Sequence, residues 1–130
     1  CMDQEGIDAV KSVMNHPFVA LCPQSNIFIH GSLPPVPLMR RNGLKITVGT
    51  DSLSSNDDLD IVAELRCLQN AFPEVGLNEL LTWACRNGAE FLSKENEYGS
   101  IAVGKKPGLV AIENLHDGRL SPESRSHRII

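Results

Sequence analysis

One position in the sequence combines a reactive side chain with a setting that could use it. Asp51 follows the apolar run Leu44-Lys45-Ile46-Thr47-Val48-Gly49 and Thr50, at the C-terminal end of a predicted strand. In barrels and open parallel sheets that end is where ligands and reactive groups gather. A carboxylate there can ligate a metal ion, and it can accept a proton and return it. Gly49 leaves room for the backbone to turn and for a second group to come close. Spacing alone leaves a plainer role open with equal weight: Asp51 as the cap of the turn that follows.

The remaining candidates for chemistry are dispersed. The four histidines, His16, His30, His116 and His127, never stand at i, i+2 or i, i+4, so no local metal pair is encoded. The four cysteines, Cys1, Cys22, Cys67 and Cys85, form no C-x-x-C pair, which argues against a structural zinc knuckle. Cys67 and Cys85 sit among apolar residues in helix-like segments and read as small buried thiols. Widely spaced thiols of this kind point to a reducing, cytoplasmic compartment.

The elements that must position Asp51 alternate in type. Ile7, Val10, Val13 and Met14 recur at helical spacing behind Asp3, a plausible N-cap, and the helix should end before Pro17. Phe18 to Cys22 is a continuous apolar run, the pattern of a strand buried on both faces, and Pro23 to Asn26 reads as a polar loop after it. Pro34, Pro35 and Pro37 rule out a regular strand but suit entry into a short helix through Leu38, Met39 and Arg40, closed at Gly43. Leu44 to Gly49 is the second strand. A Ser/Asn/Asp-rich loop leads to a helix with Leu59, Val62, Leu65 and Leu68 on one face.

Pro73 and Gly76 break the chain before a helix from about Leu77 to Arg86, with Leu80, Leu81, Ala84 and Cys85 inward. Asn87-Gly88 reads as an interruption and Ala89 to Leu92 as a further short turn. Leu59, Val62, Leu65, Leu68, Leu80, Leu81 and Trp83 are expected to line the helix–barrel contacts, with Trp83 in ordinary packing. Beyond Tyr98, Gly99, Gly104, Pro107 and Gly108 punctuate Ile101 to Val103 and Leu109 to Ile112, which read as short strands. The tail from Pro122 to Ile130 reads as an edge strand or an extended arm. Alternating strands and helices imply parallel βα units, and two such strands need neighbours on both sides.

Composition sets outer bounds. With 130 residues, 42% of them hydrophobic, the chain can bury a core. A formal charge of −4 offers no basic footprint for nucleic acid. No apolar run approaches the ~20 residues of a membrane helix. The opening Cys1-Met2-Asp3-Gln4 lacks both a signal-peptide pattern and a first-position Met, so a start inside a longer protein is expected.

Val48-Gly49-Thr50-Asp51-Ser52, followed by Ser54-Ser55-Asn56, resembles the last barrel strand of the amidohydrolase superfamily, in its deaminase/chlorohydrolase (cytosine-deaminase-like) branch. Cys22-Pro23-Gln24-Ser25-Asn26 with Leu33-Pro34-Pro35-Val36 resembles that family's seventh strand and its loop. Trp83 to Ala89 is similar to the helix after the barrel. Gly99-Ser100-Ile101 through Gly104-Lys105-Lys106-Pro107-Gly108-Leu109-Val110 looks like the return to the small β-domain, with Gly108 where the family usually has Asp.

The resemblance implies an α/β fold: a partial (β/α)8 TIM barrel, holding its last two strands and helices, in residues 1–96. Residues 97–130 would contribute strands to a small C-terminal β-sandwich domain. Those strands, Ile101 to Ile112 with Arg128 to Ile130 as a further piece, would pair with an N-terminal segment of the same protein.

The implied activity is metal-dependent hydrolysis of a C–N or C–Cl bond in a purine-type or cyclic amidine-like small molecule. In it, a divalent ion (zinc, or else iron or manganese) generates hydroxide. Asp51 corresponds to the family's metal-binding, proton-shuttling catalytic aspartate. The family's other metal ligands, a His-x-His on the first strand and a His on the fifth, have no counterpart here, nor has its sixth-strand His. The chain alone is therefore expected to be inactive. Ser25, Asn26 and His30 fall near the expected pocket mouth and are candidate substrate contacts, with hydrogen bonds to loop backbone as the alternative for Ser25 and Asn26. Exposed strand edges favour association, including homo-oligomers. Two other readings stand beside the hydrolase: a binding or assembly module without the metal site, and a small α/β domain using Asp51 as a phosphoacceptor. The latter lacks the acidic cluster and lysine that such chemistry needs.

Overall fold

The computed structural model describes residues 2–130. Helix α1 (Gln4–Val13) starts where Asp3 accepts a hydrogen bond from the Gly6 N–H at 2.9 Å, and it buries Ile7 fully. Strand β1 (Phe18–Leu21) follows, then helices α2 (Pro23–His30) and α3 (Val36–Arg41), then strand β2 (Lys45–Val48). The strands pair in parallel from Phe18 opposite Lys45 to Leu21 opposite Val48. The expected α/β alternation is therefore present, and the fold is mixed α/β.

Several local expectations need correction. Pro23 to Asn26 is the first turn of α2, because Pro23 occupies the first helical position, where a missing N–H costs nothing. Strand β1 is not buried on both faces: Ala20 is exposed, since only one strand neighbours it. Leu59 lies ahead of helix α4 (Ile61–Ala71), which Asp60 caps, and stays exposed while Val62, Leu65 and Leu68 are buried. Asn87-Gly88 does not interrupt the next helix. Helix α5 (Leu77–Leu81) widens into a π-helical turn over Thr82–Asn87 and continues as α6 (Gly88–Phe91). The widened turn buries Trp83 and lets the Asn87 amide donate to the Ile46 carbonyl of β2 at 2.7 Å. Cys85, expected inward, reaches the surface, and Cys67 is half-buried.

The C-terminal part holds one antiparallel pair, β3 (Val110–Glu113) with β4 (Arg125–Arg128). Ile101 to Val103 forms no strand; both its large apolar side chains are exposed. The tail strand ends at Arg128 rather than running from Arg128 to Ile130, although Ile129 and Ile130 still exchange backbone hydrogen bonds with Leu109. Leu120 joins the same apolar core as Leu21, Ile46, Leu65, Leu68 and Trp83. Gln69 of α4 clasps it from both sides: its amide donates to the Leu120 carbonyl at 2.9 Å and accepts from the Leu120 N–H at 3.0 Å.

Candidate active site

Asp51 emerges directly beyond β2, exposed, with its backbone in the left-handed region at φ +59°. That conformation is uncommon outside glycine, though Asp and Asn tolerate it best. It turns the chain sharply enough for the carboxylate to meet the start of α2. Ser25, in the first turn of α2 and 2% exposed, lies with its Oγ 2.8 Å from Asp51 Oδ2. Ser55, in the loop after β2, places its Oγ 3.0 Å from the same oxygen and 2.9 Å from Ser25 Oγ.

Each hydroxyl has one proton to give, and the charged carboxylate is the strongest acceptor within reach. The Ser25 hydroxyl first, then the Ser55 hydroxyl, hold the Asp51 carboxyl below its ordinary 3.8 against desolvation, which raises it, and the Ser52 backbone N–H lowers it further. Both side-chain hydroxyl bonds fall on Oδ2. One oxygen is thus held by two hydroxyls, while the other takes no side-chain hydrogen bond.

Beneath Asp51 lies Cys22, whose Sγ is 3.6 Å from the point a Cβ on Gly49 would occupy. Burial, followed by the negative charge of Asp51, pushes the Cys22 thiol up from its ordinary value, which favours the protonated form. The loop carrying Ser55 is tied down by Asn56, whose amide donates to the Thr50 carbonyl at 2.8 Å.

The four residues singled out from the sequence do not all converge. Ser25 sits on Asp51, with its hydroxyl spent there. Asn26 and His30 lie further along α2 and border a small cavity of about 190 Å³ with Ser32 and Pro34. Asn26 Oδ1 is buried there without a hydrogen-bond partner, while His30 is exposed at the helix end. A larger, open cavity of about 590 Å³ runs between α2, the β2–α4 loop and α4, with Ser55 and Asn56 in its wall, but Asp51 does not line it.

Sequence reasoning passed over Glu64 and the role of Ser55. Glu64 had a detectable signal: a charged residue beside Val62, Leu65 and Leu68 on the inward face of an amphipathic helix. Ser55 stood inside the Ser54-Ser55-Asn56 segment of the resemblance, but nothing local marked its hydroxyl as a partner of Asp51.

A divalent ion fits this arrangement at one corner only. Asp51 Oδ1 is an accessible carboxylate oxygen, but no group of three or more His, Cys, Asp or Glu among the described residues could hold an ion. Any such ion would need ligands from outside residues 2–130.

Asp51 thus presents its carboxylate beyond the C-terminal end of a parallel strand, braced by one hydroxyl from the preceding βα unit and one from its own loop. The chain belongs to the amidohydrolase family, whose model matches residues 2–124. It is 35% identical over 102 residues to a 5-methylthioadenosine/S-adenosylhomocysteine deaminase of Moorella thermoacetica, covering 73% of this chain and 24% of that protein. An adenosine deaminase of Helicobacter pylori is 33% identical over 108 residues, covering 81% and 26%.

The crystal structure of an adenosine deaminase from Xanthomonas campestris, with zinc bound, superposes with TM-score 0.72 at 28% identity, covering 85% of this chain and 26% of that one. Escherichia coli guanine deaminase shares the fold with TM-score 0.72 at 19% identity, covering 87% and 27%. The chain spans about a quarter of the length of these relatives.

Proposed function

We propose that the chain is the C-terminal part of a deaminase that releases ammonia from a purine nucleoside, with Asp51 as metal ligand and proton carrier. The observation that carries this is the Asp51 carboxylate itself. It is held in a left-handed turn at a strand end, with Oδ2 pinned by two hydroxyls and Oδ1 free of side-chain hydrogen bonds.

In this reading β1 and β2 are the last two strands of a (β/α)8 barrel, residues 1–96 are its C-terminal portion, and residues 97–130 belong to a small β-domain. The rest of the protein supplies the other metal ligands and the neighbouring strands. The divalent ion, for which zinc is the first candidate, supplies water activation at neutral pH when bound. Asp51 Oδ1 takes the proton from the attacking water as the new C–O bond forms at the electron-poor ring carbon. It then delivers that proton to the amino nitrogen as the C–N bond breaks, so that ammonia leaves rather than amide ion. Ser25 and Ser55 keep the carboxylate in one orientation throughout. Asn26, with its unpartnered buried oxygen, and His30 border the neighbouring cavity and are the candidate substrate contacts. Free thiols at Cys22, Cys67 and Cys85 suit a reducing, cytoplasmic setting.

The test is ammonia release from adenosine and from 5′-methylthioadenosine by the full-length protein, with Asp51→Asn alongside. The expected result is turnover of at least one nucleoside and a loss of about 10²–10⁴-fold in Asp51→Asn. Near-normal activity in Asp51→Asn would remove the assigned role. A full-length protein that binds no metal and turns over neither nucleoside would favour a binding or assembly module.

A further inference from the structure

Glu64 is a fully buried carboxylate that the chemistry above does not use. It projects from α4 toward two segments that are far apart in sequence. Its Oε2 accepts the backbone N–H of Gln24 at 2.9 Å, and its Oε1 accepts the Gln24 side-chain amide at 3.2 Å. The Asn56 amide donates to the same Oε1 at 2.5 Å and to the Thr50 carbonyl at 2.8 Å. A buried charge is tolerated only when hydrogen-bonded in this way. Since α2 has no side-chain N-cap, Glu64 also satisfies one of its orphan N–H groups.

The pattern of attachment is what matters. Gln24 adjoins Ser25, Thr50 adjoins Asp51, and Asn56 adjoins Ser55. Every member of the oxygen triangle thus has a chain neighbour tied, directly or through Asn56, to Glu64. Glu64 hydrogen-bonds to none of the three itself.

We infer that Glu64 is a positioning residue: it fixes the start of α2 and the β2–α4 loop in the register that places Ser25 and Ser55 on Asp51 Oδ2. The inference rests on the role proposed for Asp51 in its catalytic consequence, but not in its geometry. Substituting Glu64 with Gln keeps the shape while turning one acceptor oxygen into a donor that faces N–H groups. The two segments then lose their common anchor, and an ångström-scale shift of a reacting group costs about 10²-fold in rate.

The experiment uses the full-length protein with adenosine or 5′-methylthioadenosine, measuring kcat, KM and melting temperature, and solving the structure of each variant. In Glu64→Gln, kcat should fall about 10²-fold with KM little changed. Its Ser25 Oγ should also lie beyond hydrogen-bonding distance of Asp51 Oδ2. Gln69→Ala, on the same helix but clasping Leu120 instead, should lower the melting temperature and leave kcat in place. If Glu64→Gln does not fold, Asn56→Ala, which leaves Glu64 on Gln24, should still lower kcat and loosen Ser55 from Asp51. Where both variants fold, the double variant should lose no more than the worse single one, because both act through one clamp.

An intact oxygen triangle in Glu64→Gln would overturn the inference whatever the kinetics, as would one in Asn56→Ala should Glu64→Gln not fold. So would a Gln69→Ala variant losing kcat as severely as Glu64→Gln. Surviving turnover in Asp51→Asn would instead overturn the role given to Asp51; the displaced or intact triangle would still decide on Glu64.

Discussion

The backbone at Asp51 adopts φ +59°, a conformation that costs a non-glycine residue about 1–2 kcal/mol. Such strain persists where the surroundings over-determine it, and here two hydroxyls on Oδ2 do so. Asn tolerates the same conformation, so Asp51→Asn should unfold within a few degrees of the parent in a thermal melt while losing turnover. A fall in melting temperature as large as a core deletion would show that Asp51 is there for the fold.

The depressed Asp51 pKa sets a sign for pH dependence. Its folded value lies below the unfolded 3.8, so the contribution to stability is fully present above pH 3.8 and is lost as pH falls through the folded value. Ser25 is the main cause of the depression. Ser25→Ala should therefore be less stable than the parent at pH 7, and the gap should narrow as the pH drops below 3.8. Urea titrations at several pH values would measure it, and a gap that does not change with pH would mean that Ser25 acts through packing alone.

Among the elements, the widened helix from Leu77 to Phe91 is the one whose shape depends most on its neighbours. Gly99 passes against it in the left-handed region at φ +79°, where an added Cβ would come within 2.6 Å of the Ala89 Cβ and 2.9 Å of the Cys85 carbonyl oxygen. The backbone cannot yield as a flexible side chain would. Gly99→Ala should thus cost about 2–4 kcal/mol from overpacking and backbone strain together, read by denaturant unfolding. The sequence revealed that helix by its apolar spacing but suggested a break at Asn87-Gly88. The extra residue in the π-helical turn leaves no mark in composition. It is stabilised by burying Trp83 and by the Asn87 bond to Ile46, contacts between residues 41 apart.

At the scale of the whole molecule, the two parallel strands have only each other as partners among the described residues. Ala20 is exposed on β1, and Ile27, Phe28 and Leu53 expose apolar surface near the Asp51 end. These surfaces suit contact with further strands and helices of a longer protein. The proposed metal site gives this a direct measure. Residues 1–130 alone should show no stoichiometric zinc uptake by calorimetry at micromolar concentration, whereas the full-length protein should retain zinc through dialysis. Tight binding of one equivalent by the isolated chain would mean that its own side chains complete a site.

The sequence by itself determined the alternation of strands and helices, the N-cap at Asp3, the inward faces of α4 and α5, and Asp51 as the residue to watch. These follow from local chemistry and periodicity, which neighbouring residues carry. Only the tertiary structure decided that Ser25 and Ser55 share one oxygen of Asp51, and that Glu64 ties their two segments together. It also decided that Ile101 to Val103 stays unpaired. Those outcomes turn on Ser25 and Gln24 meeting groups 26 to 40 positions away, or on a pairing partner being within reach, and no local pattern encodes either.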